Sequence, residues 1–143
     1  TLSLHDALPI SVVKDGLTMD PSFKDMDRVF KAIDKQYHMK AIARTVRYVH
    51  SGSNNSLKAF FYTNGETYES KTINFDIVDR VGGGDGFASG LAYGFLEGKG
   101  PQAAVEYGAA HGALAMTTPG DTSMVRVDEV EAAMKGKGAR VIR

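Results

Sequence analysis

Asn64-Gly65 constrains this chain more than any other pair of residues. Both positions of a two-residue type I′ turn need positive φ, and Asn-Gly between two extended runs is the strongest local indication of one. Residues 57–63 and 66–71 are therefore expected to pair antiparallel. Residues 40–49 (KAIARTVRYV) are rich in β-branched and apolar side chains and read as a buried strand. The polar run His50-Ser51-Gly52-Ser53-Asn54-Asn55-Ser56 reads as the loop after it. A further extended segment is expected over 72–78.

Helical periodicity flanks these strands. Phe23, Met26, Val29, Phe30 and Ile33 recur at three- and four-residue steps after Asp20-Pro21, which predicts a helix over 21–37 with Asp20 as its cap. From Asp85 the pattern turns helical again. Phe87, Leu91 and Phe95 share one side, with Ala88, Ala92 and Gly94 keeping the helix slim. Gly98-Lys99-Gly100-Pro101 stops that helix and starts an Ala-rich one over 102–114. A loop around Pro119-Gly120 comes next, then a short helix from an Asp128 cap to Met134 and an edge strand over 139–142. Strands followed by helices with one local hairpin argue an α/β layer structure.

Composition narrows the function classes. Seventeen basic residues balance seventeen acidic ones, so no overall charge draws the chain to nucleic acid or anionic membranes. Apolar residues at 43 % and charged residues at 24 % are ordinary for a globular chain. The absence of Cys excludes disulfides, thiol catalysis and cysteine-ligated metals. No stretch approaches the roughly 20 apolar residues of a membrane span, and a soluble, cytoplasmic protein is expected. The four histidines, His5, His38, His50 and His111, show no metal-ligand spacing. His38 is expected to interact with the carbonyls at a helix end. Met116, Met124 and Met134 read as packing residues, and the basic tail from Lys135 as solvated surface.

The segment DRVGGGDGFASG (79–90) carries the chemistry. Three successive glycines can adopt backbone angles closed to other residues and turn their N–H groups into one concavity. A helix begins directly afterwards, and its free N–H groups and dipole favour an anion there. Asp85 beside this hole either caps the helix or accepts a proton from a hydroxyl attacking a bound phosphoryl group. The Walker P-loop is excluded because no Gly-Lys-Ser/Thr comes after the glycines. The dinucleotide fingerprint is excluded because GDGFAS ends in Ser rather than Gly.

This run resembles the C-terminal signature of the ribokinase (PfkB) carbohydrate kinase family, D-T-x-G-A-G-D-x-F-x-x-G. The likeness extends through YGAAHGALAMTTPGDTS (107–123) and spans about residues 12–143. GGGD in place of GAGD, HGALAMTTPGD and the HSGSNN loop look most like its 2-keto-3-deoxygluconate kinase branch. The resemblance implies a ribokinase-like, Rossmann-like three-layer α/β fold with a mainly parallel sheet. It also implies ATP-dependent phosphorylation of a sugar acid, with Mg²⁺ held chiefly by the ATP phosphates. Asp85 falls at the catalytic base and Gly82, Gly83 and Gly84 at the anion hole. Ser51, Gly52 and Ser53 fall along the ATP phosphates and ribose, and Ala109 to Gly112 beside the adenine. Asp79, Val81, Gly120 and Ser123 fall where relatives bind a monovalent cation such as K⁺, and Arg80 stands near the phosphates or an anionic sugar. Ala109 replaces a frequent Asn, with His111 as its substitute.

The family chain is roughly twice this length, so residues 11–143 read as the C-terminal part of a sugar kinase domain that is inactive alone. Relatives often pair through the absent half, which implies a homo-oligomer for the complete protein. Residues 1–10 (TLSLHDALPI) match the pattern of the remaining chain poorly, since Pro9 interrupts any helix begun at Leu2. They read either as a foreign leader or as a frayed tail. A non-catalytic nucleotide-binding module and another PfkB sugar kinase, of ribokinase or fructokinase type, remain as alternatives.

Overall fold

The computed structural model describes residues 20–136. The leader, the edge strand expected over 139–142 and most of the basic tail lie outside these residues. Helix α1 (Phe23–Tyr37) is followed by strands β1 (Ala41–Val49), β2 (Asn54–Thr63), β3 (Glu66–Glu69) and β4 (Ile73–Asp76). Helices α2 (Gly83–Leu96), α3 (Pro101–Ala115) and α4 (Val127–Met134) complete the order.

The cap of α1 is Ser22 rather than Asp20. Its hydroxyl accepts from the Asp25 N–H at 3.2 Å, while the Asp25 carboxylate accepts from the Ser22 N–H at 3.1 Å. This reciprocal box satisfies two groups that a lone Asp20 would leave unpaired, and Asp20 instead accepts from the Tyr48 hydroxyl at 2.7 Å. At the other end His38 adopts φ 51° and its backbone N–H reaches the Asp34 carbonyl at 2.7 Å. The main chain of His38, rather than its side chain, thus closes the helix.

Asn64 and Gly65 have φ 52° and 82° and turn β2 into β3. All three strand pairings among the described residues are antiparallel: β1–β2, β2–β3 and β2–β4. The mainly parallel sheet is therefore not found here. Parallel neighbours need a crossover of a dozen or more residues, whereas these strands are joined by the short links 50–53, 64–65 and 70–72. Strands β3 and β4 share the edge of β2 opposite β1, one after the other. At the break between them Ser70 keeps the ladder closed, accepting the Ala59 N–H on its hydroxyl at 2.9 Å and donating its own N–H to the Ala59 carbonyl at 2.8 Å.

Strand alternation sorts the core into two halves. Ile42, Val46, Phe60 and Tyr62 face Met26, Val29, Phe30 and Ile33 of α1. Leu57, Ala59, Phe61, Ile73 and Phe75 face α2, α3 and α4. The result is three layers: one helix, the sheet, and three helices. Met116 and Met134 pack as expected, but Met124 is 81 % exposed. Among the described residues no helix is long and apolar enough to cross a membrane.

Helices α2 and α3 pack through glycine. A Cβ added at Gly90 would stand 2.5 Å from the Tyr107 carbonyl oxygen, and one at Gly94 2.6 Å from the Ala104 Cα. The slim face is thus Gly86, Gly90 and Gly94, four residues apart, with Gly108 and Gly112 opposite. Ala88 and Ala92, expected to serve that contact, instead line an open apolar groove between α2 and β1. Helix α3 begins as the sequence predicts, with Gly100 at φ 87° and Pro101 at the first helical position. Helix α4 starts at Val127, before the expected Asp128 cap, with the Arg126 N–H held by the Glu129 carboxylate at 2.8 Å.

Candidate active site

Three connections meet at one end of the sheet. The β1–β2 loop joins the end of β4 through the Ile77 N–H and the Ser53 carbonyl, 2.7 Å apart. The β4–α2 segment joins the end of α3 through the Val78 and Asp79 N–H groups, which share the Met116 carbonyl at 2.9 and 3.3 Å. Asp79 then ties that segment to the α3–α4 loop, one carboxylate oxygen accepting from the Val81 N–H at 3.1 Å and the other from the Gly120 N–H at 3.0 Å.

The three glycines of the turn serve three separate ends. Gly82 alone takes a left-handed conformation, φ 81°, and an added Cβ there would meet the Asp121 carbonyl at 3.1 Å. Gly83 is helical, and a Cβ on it would lie 2.9 Å from the Met116 side chain. Gly84 is helical too, with nothing within 4 Å of its Cβ position. The expected nest of three unusual residues is thus a helix N-terminus preceded by one left-handed glycine. The first hydrogen bond of α2 runs from the Gly86 N–H to the Gly82 carbonyl at 2.7 Å. The N–H groups of Gly83, Gly84 and Asp85 precede it and have no helical acceptor. They border the open space at Gly84, so an anion can approach the backbone there.

Asp85 is the third residue of α2, exposed, and makes no hydrogen bond or ion pair among the described residues. It does not cap the helix. Its carboxylate remains available on the same turn as the free N–H groups. Asp79, by contrast, is fully committed. The Val81 and then the Gly120 N–H groups hold its carboxyl below the usual carboxylate range, with the Arg80 N–H adding to them and burial opposing them.

A carboxyl whose folded pKa is depressed stabilises the fold above its unfolded value, near 3.9. That contribution fades as pH falls through the lower folded value. The Asp79 clasp is therefore intact at neutral pH and loosens only in acid. Replacing Asp79 with Ala is expected to accelerate hydrogen exchange of the Gly120 amide at neutral pH without altering protection of the β1–β2 ladder. Unchanged exchange at Gly120 would show that the loop is held by something else.

The remaining expected site residues divide into open and enclosed groups. Ser51, Gly52 and Ser53 are exposed; the Ser51 hydroxyl accepts from the Asn54 N–H at 2.9 Å, and Gly52 is open to solvent. Arg80 is exposed on the loop before Gly82. Ala109 and Gly112 are enclosed in the core, where a Cβ at Gly112 would lie 3.0 Å from the Gly83 carbonyl oxygen. His111 is half-buried between two serines, Nδ1 3.0 Å from the Ser89 hydroxyl and Nε2 3.0 Å from that of Ser123. Burial lowers its pKa, with a weaker opposing effect from the Gly86 carbonyl, which favours the neutral ring. Since Ser89 donates to the Gly86 carbonyl at 3.0 Å, Nδ1 carries the proton and Nε2 accepts from Ser123. His111 therefore braces α2, α3 and the loop after α3 with both nitrogens occupied. Asp79, Val81 and Gly120 come together, while the Ser123 hydroxyl is engaged by His111.

The model of the pfkB family carbohydrate kinases matches residues 27–128, from α1 through the glycine turn to α4. The chain belongs to this family. A 2-dehydro-3-deoxygalactonokinase of Haloferax volcanii is 37 % identical over 79 residues, 55 % of this chain and 25 % of that protein. A 2-dehydro-3-deoxygluconokinase of Bacillus subtilis is 51 % identical over 45 residues, 32 % of this chain and 14 % of that one. Among solved structures, the 2-dehydro-3-deoxygluconokinase of Thermotoga maritima superposes with a TM-score of 0.76 at 30 % identity, covering 85 % of this chain and 36 % of its own. The chain thus spans between about a seventh and about a third of the length of these family members.

Proposed function

We propose that the complete polypeptide carrying this segment phosphorylates a hydroxyl of a sugar acid with ATP, and that 2-keto-3-deoxygluconate, taken to its 6-phosphate, is the substrate. One observation carries the reading: Asp85, a carboxylate with no partner among the described residues, stands in the same helical turn as three N–H groups without a helical acceptor and an open, side-chain-free position at Gly84. The substrate assignment is supported by the names of the relatives above. Those relatives include a galactonokinase as well as gluconokinases, so the supported class is a 2-keto-3-deoxy sugar acid.

In this reading Asp85 accepts the proton of the attacking hydroxyl as its oxygen bonds to the γ-phosphorus and the bond to ADP breaks. The N–H groups of Gly83, Gly84 and Asp85 point at the oxygens on which charge accumulates, where preorganised dipoles are most effective. Mg²⁺, carried on the phosphates, would neutralise part of their charge. Ser51, Gly52 and Ser53 would line the phosphates and ribose at the neighbouring loop. The stretch Ala109–Gly112 would support the adenine from behind, and Arg80 would stand at the rim. Carbonyl oxygens at the Asp79–Val81–Gly120 junction are the donors suited to a monovalent cation.

The test is a coupled assay of ADP formation by the complete protein. ATP consumption that depends on a 2-keto-3-deoxy sugar acid, and exceeds that with ribose or fructose, is the expected result. Turnover with ribose or fructose alone would move the assignment to another sugar kinase of the family. ATP binding with no turnover on any sugar would leave a nucleotide-binding module.

A further inference from the structure

One cation close to this turn has no role in the scheme so far. Arg47 is only partly exposed, and its Nη1 is buried without a hydrogen-bond partner among the described residues. A buried guanidinium donor left unpaired is costly, and such groups in native structures call for a ligand or another explanation.

Its position follows from the sheet. Alternation along β1 sends Arg44 toward α1, where its guanidinium lies 3.4 Å from the Met26 sulfur, and sends Ala43, Thr45 and Arg47 toward α2. Ala43 packs with the same core as Phe87, and Thr45 shares a groove with Gly84 and Phe87. Arg47 is the next residue on that face, toward the end of the sheet where the three connections meet. Its register partner is Leu57. The Leu57 side chain lies 3.1 Å from the Cβ position of Gly112, itself 3.0 Å from the Gly83 carbonyl oxygen. Arg47 thus lies on the sheet face that carries α2 and α3, at the end of the sheet nearest the first turn of α2.

We infer that Arg47 binds the phosphoryl group being transferred, its guanidinium taking oxygens that the N–H groups of Gly83 and Gly84 leave free. This rests on the kinase reading above. The turn itself offers neutral N–H donors and one carboxylate, Asp85, which repels an anion, and Arg80 is exposed on the loop before it. A planar, permanently charged fork supplies the missing positive charge and matches the oxygens of a phosphoryl group. Asp85 and Arg47 form no ion pair, so the cation is not spent on neutralising the base. Arg47 neither gives nor takes a proton; it stabilises charge on the equatorial oxygens as the bond to ADP lengthens.

The experiment compares the complete protein with its Arg47→Met and Arg47→Lys variants. It measures turnover, calorimetric affinities for Mg-ATP, AMP and the sugar acid, and thermal midpoints. Arg47→Met is expected to lower turnover by about 10²–10³-fold, as loss of a phosphoryl-stabilising donor does. ATP affinity should fall about tenfold with AMP and sugar-acid affinities unchanged, and Lys should recover part of the loss. Three outcomes overturn the inference. Normal kinetics in Arg47→Met is one. A loss confined to sugar-acid affinity would assign the guanidinium to the substrate carboxylate. A lowered thermal midpoint with normal turnover of the folded protein, in both variants, would make Arg47 purely structural. Absence of ATP binding in the unmutated protein would instead sink the kinase reading, and this inference with it, before any variant is compared.

Discussion

Asp85→Asn in the complete protein is expected to cut turnover by about 10²–10⁴-fold while leaving the affinity for ATP within a few-fold of normal. The substitution keeps shape and hydrogen-bonding capacity but cannot take a proton at neutral pH. It also removes the negative charge nearest the anion-binding N–H groups, so any change in ATP affinity should be a gain. The fold should tolerate it, because the carboxylate holds no partner in the structure. Steady-state kinetics with calorimetry on the same preparation separates these effects. Turnover near that of the unmutated protein would remove Asp85 as base.

Gly90→Ala should be among the most destabilising single-methyl additions in this segment. The three atoms nearest its Cβ position, at 2.5, 2.9 and 3.0 Å, all belong to the backbone of Tyr107 and Gly108. No rotamer change can relieve them, so α2 and α3 must separate. Overpacking of this kind costs about 1–3 kcal/mol or more, against a gain of up to about 1 kcal/mol from better helix propensity. Gly84→Ala is the matched control. Its Cβ position is open, so by the same propensity scale stability should hold or rise by up to about 1 kcal/mol, while the new methyl group obstructs the anion's approach and turnover drops. Urea unfolding of both variants, with kinetics, gives opposite patterns if the two glycines have the roles assigned. Equal loss of stability would refute the distinction.

The hairpin and the α1 core face are legible in the sequence because each rests on a local rule: the positive φ demanded at Asn64-Gly65, and the 3.6-residue recurrence of Met26, Val29, Phe30 and Ile33. Features that depend on tertiary partners are not. Asn54, Asn55 and Ser56 read as loop by composition, yet they open β2 because β4 pairs with them, Asn54 opposite Asp76. Gly83 and Gly84 are poor helix formers and by propensity precede α2. Met116 behind Gly83, and the left-handed Gly82 before it, allow the helix to start there. A parallel sheet is what the family resemblance implies, whereas the short links between these particular strands permit only antiparallel neighbours. Asp85 stands out in the sequence as the unusual acid of its turn, and the structure removes the capping alternative. Arg47 hides in a run of strand-forming residues as long as the run is treated as a unit. Counting by twos along it separates Arg44 and Arg47 onto opposite faces.

Glycine contact between α2 and α3 has a mechanical consequence. Helices whose backbones touch have almost no slack, so the acid and the amides beside it travel as one rigid piece with α3. Any closing motion that the proposed phosphoryl transfer requires is then left to the other parts of the complete protein, against this stationary anvil. On the reading proposed above, the alignment of Asp85 with a phosphoryl group is set when the polypeptide folds, and is not rebuilt in each turnover.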